Sequence, residues 1–333
     1  MQVLRQPVPL PPGTAACIGA FDGLHRGHQA LLARARTAAS GVPAGRVALV
    51  TFDPHPARVL APERAPPLLQ SQDQRARVCA ALGVDVLVLL PFDRTLAATS
   101  PSEFARDLLV DGLRPAHVVV GPDFRFGAGR GGGVSDLAEL LRPASIPVTV
   151  VDLVEQPARP EHADAHDKLS SSNIRAAVAA GAVAEAAHML GRWYAVEGEV
   201  VHGARRGREL GVRTANVDAP RALLPRPGIY AGALAVHDGE ARGGLWPAAI
   251  SLGHNPTFGP DAPLSLEVHA LGAELGERLY GCTVEVAFAA RLRDEQRFND
   301  AEELTAQIAR DIAAVRPQVD PGLALNRPFL TAT

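Results

Sequence analysis

This chain has no surplus of basic charge. Its 33 Lys and Arg residues stand against 36 Asp and Glu, a formal net charge of −3 at pH 7, and nothing in that balance draws in a nucleic acid or an anionic membrane. Neither is expected as a partner. Cysteine is scarce: Cys17, Cys79 and Cys282 are odd in number and far apart with no CxxC pair. That excludes a disulfide framework and a zinc site and suits a reducing compartment. Long apolar runs are missing too. Met1 to Pro7 lacks the hydrophobic core of a signal peptide, and the longest apolar stretch, Val84 to Phe92, is broken by Asp85 and Pro91 and too short to span a bilayer. The expectation is a soluble, cytoplasmic protein, with a homo-oligomer left open. No internal repeat or low-complexity tract is evident, and the shortage of lysine beside abundant Ala, Arg, Gly and Pro reflects a GC-rich genome rather than a mechanism.

What is present is room for two domains, since 333 residues exceed the ordinary size of one. From Ala15 to about Gly181, apolar β-branched runs (Arg46 to Phe52, Val84 to Leu89, Ala116 to Val120, Pro147 to Val151) alternate with helix-like segments, the pattern of an α/β parallel sheet covered on both faces. Ser100-Pro101-Ser102-Glu103 reads as a helix start with a capping box. Ser170 to Arg175 reads as another, its Ala-rich helix stopped by Gly181. After Arg192 the pattern changes. Ala195 to Val201, Tyr230 to Val236, Leu264 to Leu271 and Thr283 to Phe288 alternate and are separated by Gly/Pro/Asn clusters, which predicts a small antiparallel β-barrel or sandwich. A terminal helix then starts near Asp300, with Leu304, Ile308, Ile312 and Val315 as the stripe expected to pack on the barrel. The boundary is placed at residue 188, giving domains 1–188 and 189–333.

One stretch organises the first domain: Gly19-Ala20-Phe21-Asp22-Gly23-Leu24-His25-Arg26-Gly27-His28. Before it, Ala15 to Ile18 reads as a buried strand, and after it Gln29 to Arg36 has the composition of a good helix. A turn at a helix N-terminus offers unpaired N–H groups and the positive end of the macrodipole to an anion. Gly23 and Gly27 allow close approach to the main chain, and His25 and His28 add imidazole donors. The plainer alternative is a structural loop whose histidines pack; so many glycines and histidines in ten residues speak against it.

The stretch resembles the HxGH signature of the nucleotidyltransferase superfamily. Its fuller form, Gly19-x-Phe21-Asp22-Gly23-x-His25-x-Gly27-His28, is similar to that of the bacterial bifunctional riboflavin kinase/FMN adenylyltransferase family, also called FAD synthetases. The resemblance implies a Rossmann-like nucleotidyltransferase domain followed by a riboflavin kinase-like barrel, with ATP as co-substrate, Mg2+ as cofactor, and riboflavin and FMN as the other substrates. It makes His25 and His28 catalytic and gives Gly19, Phe21, Asp22, Gly23 and Gly27 to ATP.

Adenylyl transfer needs no protein nucleophile, because the acceptor phosphate attacks the α-phosphorus and pyrophosphate leaves; the protein aligns anions and stabilises charge. Thr51-Phe52-Asp53-Pro54-His55-Pro56 follows the second predicted strand, and strand ends are where such sheets bind ligands. Two readings stand side by side: a turn fixed by Pro54 and Pro56, or, as the resemblance implies, a flavin-binding stretch carried by His55 and Pro56. Gly121-Pro122-Asp123-Phe124-Arg125-Phe126-Gly127 matches a family element that assigns Asp123, Phe124 and Arg125 to flavin. Leu169-Ser170-Ser171-Ser172-Asn173-Ile174-Arg175 resembles the ISSTxIR motif, with Ser171 and Ser172 binding ATP phosphates and Arg175 as a catalytic counter-charge. Gly127-Ala128-Gly129-Arg130-Gly131-Gly132 formally matches GxGxxG, but it does not leave a strand directly and overlaps the flavin element, so a dinucleotide-binding oxidoreductase is set aside.

In the second domain, Gly198 to Asn216 is a glycine-punctuated, arginine-rich stretch that resembles the riboflavin kinase motif ending in Pro-Thr-Ala-Asn. The resemblance gives Gly203, Arg208 and Gly211 to ATP and Thr214 and Asn216 to the metal. It gives Glu267, in Leu266-Glu267-Val268-His269, the part of catalytic carboxylate for the ribityl hydroxyl; alone, Glu267 would read as a solvent-facing strand residue. Arg213 departs from the family, standing where proline is usual, with Val212 for Phe. Arginine frees a backbone that proline would restrict and adds charge beside a metal site. The exchange leaves open an adenylyltransferase with a weak or inactive kinase barrel, or a catalytically silent flavin-binding protein, although intact His25, His28, Ser171 and Arg175 oppose the last. Trp193, where the family usually has Pro, is a milder departure.

Overall fold

The computed structural model describes residues 1–41, 44–152, 169–203, 212–220, 222–254, 264–273 and 276–330. The chain divides into two compact units, Met1–Pro66 with Cys79–Ser170, and Pro67–Val78 with Ser171–Thr333. Twelve strands are described: β1 (Gln2–Leu4), β2 (Ala15–Ile18), β3 (Val47–Asp53), β4 (Val86–Pro91), β5 (His117–Val120), β6 (Val148–Val150), β7 (Tyr194–Val201), β8 (Ala215–Asp218), β9 (Gly228–Val236), β10 (Leu245–His254), β11 (Leu264–Ala270) and β12 (Thr283–Arg293). The helices are α1 (Arg26–Ala39), α2 (Pro56–Leu60), α3 (Gln72–Ala81), α4 (Arg94–Ala98), α5 (Pro101–Glu103), α6 (Val134–Leu141), α7 (Ser171–Ala179), α8 (Val183–Leu190) and α9 (Ala301–Leu330).

In the first unit, β1 to β6 form a parallel sheet in the order β1-β4-β3-β2-β5-β6. Residues 15–18, 47–51 and 86–90 are buried without alternation, as they must be in strands covered on both faces. The chain steps outward from β2 through β3 to β4 and returns to lay β5 on the other side of β2. Between β2 and β5 the winding therefore reverses, which opens a crevice at the carboxyl ends of those strands. The capping box expected at Ser100 is present, with Glu103 N–H donating to the Ser100 hydroxyl and Ser100 N–H to the Glu103 carboxylate. That helix runs on as a π-helical stretch, Phe104–Leu113, ended by Arg114 at φ +50°.

In the second unit six strands close an antiparallel barrel, ordered β10-β11-β8-β7-β12-β9. Tyr230, Leu234, Ile250, Leu252, Val284 and Phe288 fill its core, with the Tyr230 ring edge-on to Phe288 at 5.3 Å. On β9 the alternate residues Ala231, Ala233 and Ala235, joined by Ala287 and Ala289 of β12, make a face of small side chains that takes α9. Of the expected stripe, Val315 is buried and Ile312 packs beside it, while Leu304 and Ile308 are only half-buried. The packed face continues instead through Val319, Asn326 and Leu330. Pro317, Pro321 and Pro328 lie inside this helix, all exposed. Trp193 belongs to the same packing: its backbone N–H donates to Asn326 Oδ1 at 2.6 Å, and a Cβ at Gly322 would stand 2.7 Å from its ring.

Candidate active sites

The turn Gly19–His28 leaves the carboxyl end of β2, beside that crevice. Phe21, Gly23 and Leu24 all have positive φ, at 48°, 85° and 43°, a conformation uncommon for side chains as large as Phe and Leu. The turn holds it by packing and by hydrogen bonds. Phe21 and Leu24 are fully buried, the Thr51 hydroxyl donates to the Ala20 carbonyl at 2.9 Å, and the Gln29 amide donates to the Leu24 carbonyl at 2.9 Å. His25 caps α1, its Nδ1 accepting from the His28 N–H at 3.4 Å. A neutral ring that accepts at Nδ1 carries its proton on Nε2. The two imidazoles stack with centroids 3.7 Å apart, and the Phe21 ring meets His28 edge-on at 5.0 Å. A Cβ at Gly27 would lie 3.1 Å from the His25 ring, so glycine there leaves room for the stack. Asp22 is buried in the same turn.

Two further predicted stretches leave neighbouring strands at the same end of the sheet. His55 follows β3 across a cis Asp53–Pro54 bond and caps α2, its Nδ1 accepting from Ala57 N–H at 3.2 Å; Pro56 is the first residue of that helix. Gly121–Gly127 follows β5, with Asp123 and Arg125 exposed and Phe124 stacked on Phe126 at 5.7 Å. The glycine run beyond has a structural purpose. Gly132 pairs back onto Phe126, where a Cβ would stand 2.8 Å from the ring, and a Cβ at Gly133 would lie 2.8 Å from the Arg125 guanidinium. The residues of β3, β2 and β5 that end in these loops are adjacent in the sheet.

Ser171, Ser172 and Arg175 belong to the second unit. Ser171 opens α7, Ser172 is exposed, and Arg175 Nε donates to the Pro67 carbonyl at 2.7 Å. In the barrel, pairing of β8 with β11 sets Asn216 opposite Glu267, and the Thr214 hydroxyl donates to Glu267 Oε2 at 3.2 Å. A Cβ at Gly203 would meet the Asn216 amide at 2.0 Å, so that side chain lies directly on the glycine. The pairing of Asn216 with Glu267 and these two flanking contacts gather Gly203, Thr214, Asn216 and Glu267. A hydroxyl, an amide oxygen and a carboxylate are hard oxygen donors of the kind Mg2+ takes. The Arg213 side chain is exposed, while its carbonyl accepts from His269 Nδ1 at 2.8 Å. Arg208 and Gly211 lie outside the described residues.

A charged cluster that sequence reading missed sits elsewhere on the barrel. Glu285 of β12 stands directly across the strand pair from Glu197 of β7, an arrangement that repels unless a cation joins it. With His237 these carboxylates offer ligand atoms within 4.8 Å of one another, the donor set of a metal site. The cation there is Arg77, which bridges Glu197 and Glu285 and is 2.8 Å from the latter. Burial pulls its guanidinium pKa down, but the charges and hydrogen bonds of Glu285 and Glu197 outweigh that and the net shift is upward. Gln74 donates to Glu285 and Ser71 to Glu197, both at 2.9 Å.

Comparison with known proteins bears on both units. Residues 9–160 match the family model for FAD synthetase and residues 190–319 that for riboflavin kinase. A bifunctional riboflavin kinase/FMN adenylyltransferase of Pseudomonas fluorescens is 37% identical over 311 residues, 93% of this chain and 94% of its own. One of the same name from Listeria monocytogenes is 36% identical over 296 residues, 88% of each. A crystal structure described as a macrolide-efflux protein from Streptococcus pneumoniae matches with a TM-score of 0.76 at 28% identity, over 93% of this chain and 98% of that one. Among the described residues, no helix is long and apolar enough to cross a membrane.

Proposed function

The chain belongs to the bifunctional riboflavin kinase/FMN adenylyltransferase family, and from that premise we propose which of its residues carry each reaction. It is an enzyme of flavin-nucleotide biosynthesis with two ATP-dependent activities: phosphorylation of riboflavin to FMN, and adenylylation of FMN to FAD with release of pyrophosphate. We keep residue 188 as the border of the two catalytic domains, between the two family matches. The cytoplasm is the compartment that this biosynthetic role and the cysteine usage favour.

Adenylyl transfer belongs to the Gly19–His28 turn. The observation that carries this reading is the convergence of three loops, from β3, β2 and β5, on the sheet end where α1 begins. There the FMN phosphate attacks the α-phosphorus of ATP, the bond to the bridging oxygen breaks, and the charge that leaves with pyrophosphate needs donors. His28, in the first turn of α1, and the Nε2–H of His25 are those donors. Gly19, Phe21, Asp22, Gly23 and Gly27 shape the backbone that faces ATP. His55, Pro56, Asp123, Phe124 and Arg125 line the flavin side, and Ser171, Ser172 and Arg175 keep the phosphate-binding part their motif implies.

Riboflavin phosphorylation belongs to the barrel. Glu267 accepts the proton of the ribityl hydroxyl as it attacks the γ-phosphorus of ATP. Thr214 and Asn216 would hold Mg2+, which when bound neutralises phosphate charge. Gly203, Arg208 and Gly211 complete the ATP loop. The hydrogen bond between Thr214 and Glu267 supports an intact kinase site despite Arg213. The test is chromatography of purified protein with MgATP. Riboflavin converted through FMN to FAD is the expected result; conversion of FMN alone would remove the kinase assignments.

A further inference from the structure

The segment that carries Thr214 runs past the end of its strand ladder. Pairing between β8 and β11 begins at Ala215 opposite Val268, so Arg213 and Thr214 lie outside it. Side chains of β11 reach them instead. Glu267 and His269 flank the buried Val268 and point to the same face of the strand. Glu267 takes the Thr214 hydroxyl, and His269 Nδ1 lies 2.8 Å from the Arg213 carbonyl. A carbonyl oxygen only accepts, so Nδ1 carries the hydrogen. The bond adds one step to the ladder, at the residue whose backbone decides where Thr214 points.

We propose that His269 is a positioning residue of the kinase site: its Nδ1–H bond to the Arg213 carbonyl fixes the backbone that presents the Thr214 hydroxyl beside Glu267. Arginine at 213 leaves φ free, and a proline there would fix φ by its ring. The histidine supplies through a hydrogen bond the restraint that Arg213 does not. Its place is beside the reacting groups and not on them, since its donor is spent on the main chain. This inference rests on the reading of Thr214 and Glu267 as kinase residues.

The experiment measures riboflavin phosphorylation at varied MgATP and, in the same preparations, FAD formation from FMN. His269→Ala is expected to lower kinase kcat/KM about tenfold, chiefly through a higher KM for MgATP, while FAD formation holds. His269→Asn, whose amide nitrogen can stand near the place of Nδ1, should return most of the loss. Adding Arg213→Pro to His269→Ala should do the same by a different physical route, so the two changes are strongly non-additive. Nitrogen NMR of the unliganded protein should find the His269 ring protonated at Nδ1, whatever the activity. Full phosphorylation by His269→Ala, failure of both rescues, or an Nε2–H ring would each overturn the proposal. Wild-type protein that makes no FMN from riboflavin would instead overturn the kinase reading beneath it.

Discussion

The two sites we propose are written into the chain in different ways. The turn proposed for adenylyl transfer is a single ten-residue stretch whose backbone conformation, with Phe21, Gly23 and Leu24 at positive φ, brings its own histidines together. The proposed kinase site is assembled from residues up to 64 positions apart, Gly203 to Glu267, by the pairing of β8 with β7 and β11 and by the contacts of the residues beside it. A local site fails when its turn relaxes. A site built across strands fails when register fails, because a slip of one residue would send Glu267 to the other face. The first depends on two clamps, the buried Thr51 and the half-buried Gln29; the second depends on closure of a whole barrel.

Substitutions can sharpen that contrast, and the largest effect is expected at Glu267. Glu267→Gln keeps the shape but cannot accept the ribityl proton, so riboflavin phosphorylation should fall about a thousandfold while FMN is still converted to FAD. Near-normal phosphorylation would strip Glu267 of its role. Arg77→Met tests the barrel as a charged assembly. It leaves Glu197 and Glu285 facing each other with their bridging cation gone, and thermal unfolding should report a loss of about 3 kcal/mol, partly recovered by adding Glu285→Gln. A change within about 0.5 kcal/mol would mean the repulsion is relieved without Arg77. In the local site, His28→Ala should cut FAD formation from FMN by at least tenfold, about 1.4 kcal/mol of transition-state stabilisation, and spare phosphorylation. Equal loss of both activities would argue against two independent sites.

The smallest effect concerns His117 of β5. Its Nε2 lies 2.8 Å from the Thr149 hydroxyl, and burial, helped by the nearby Arg34 charge, lowers its pKa below 6.5. The folded chain therefore holds this ring neutral where the unfolded chain takes up a proton, so stability is full above pH 6.5 and is lost as the pH falls toward the folded pKa. His117→Asn should flatten the melting temperature slightly between about pH 7 and pH 5. An unchanged slope would assign that pH dependence to other groups.

The same contrast explains what the sequence made legible. Strands β2 to β6 of the parallel sheet and the Gly19–His28 turn could be read because each is continuous: apolar runs, then glycines and histidines before a helix; β1, three residues at the sheet edge that are exposed or half-buried, was not expected. The barrel was half-legible. β8, only four residues long, and β10, carrying Pro247, Gly253 and small side chains, give weak alternation and were not expected. Pro247 is tolerated because pairing with β11 starts one residue later, at Ala248. Glu267 could be found only by resemblance, since nothing in Leu-Glu-Val-His shows that Thr214 and Asn216 lie beside it. Arg77 was invisible for the same reason: Glu197 and Glu285 meet through register, and the cation comes from a helix far away in sequence. The run Gly127 to Gly132 was set aside as a GxGxxG match on its context alone, and the packing of Gly132 on Phe126 and of Gly133 on Arg125 needed the structure.

The three prolines of α9 set the order in which this protein can be completed. Each removes a helical hydrogen bond, at the carbonyls of Ala313, Pro317 and Ala324, and all three of those residues face water. At about 3 kcal/mol per proline, this segment is no helix by itself; its winding comes from the alanine face of β9 and β12 and from Trp193. On a ribosome the barrel strands emerge before the helix that covers them. Until that helix arrives, the nascent barrel displays an apolar wall to its neighbours, so late translation is the interval in which this chain is most in need of a chaperone.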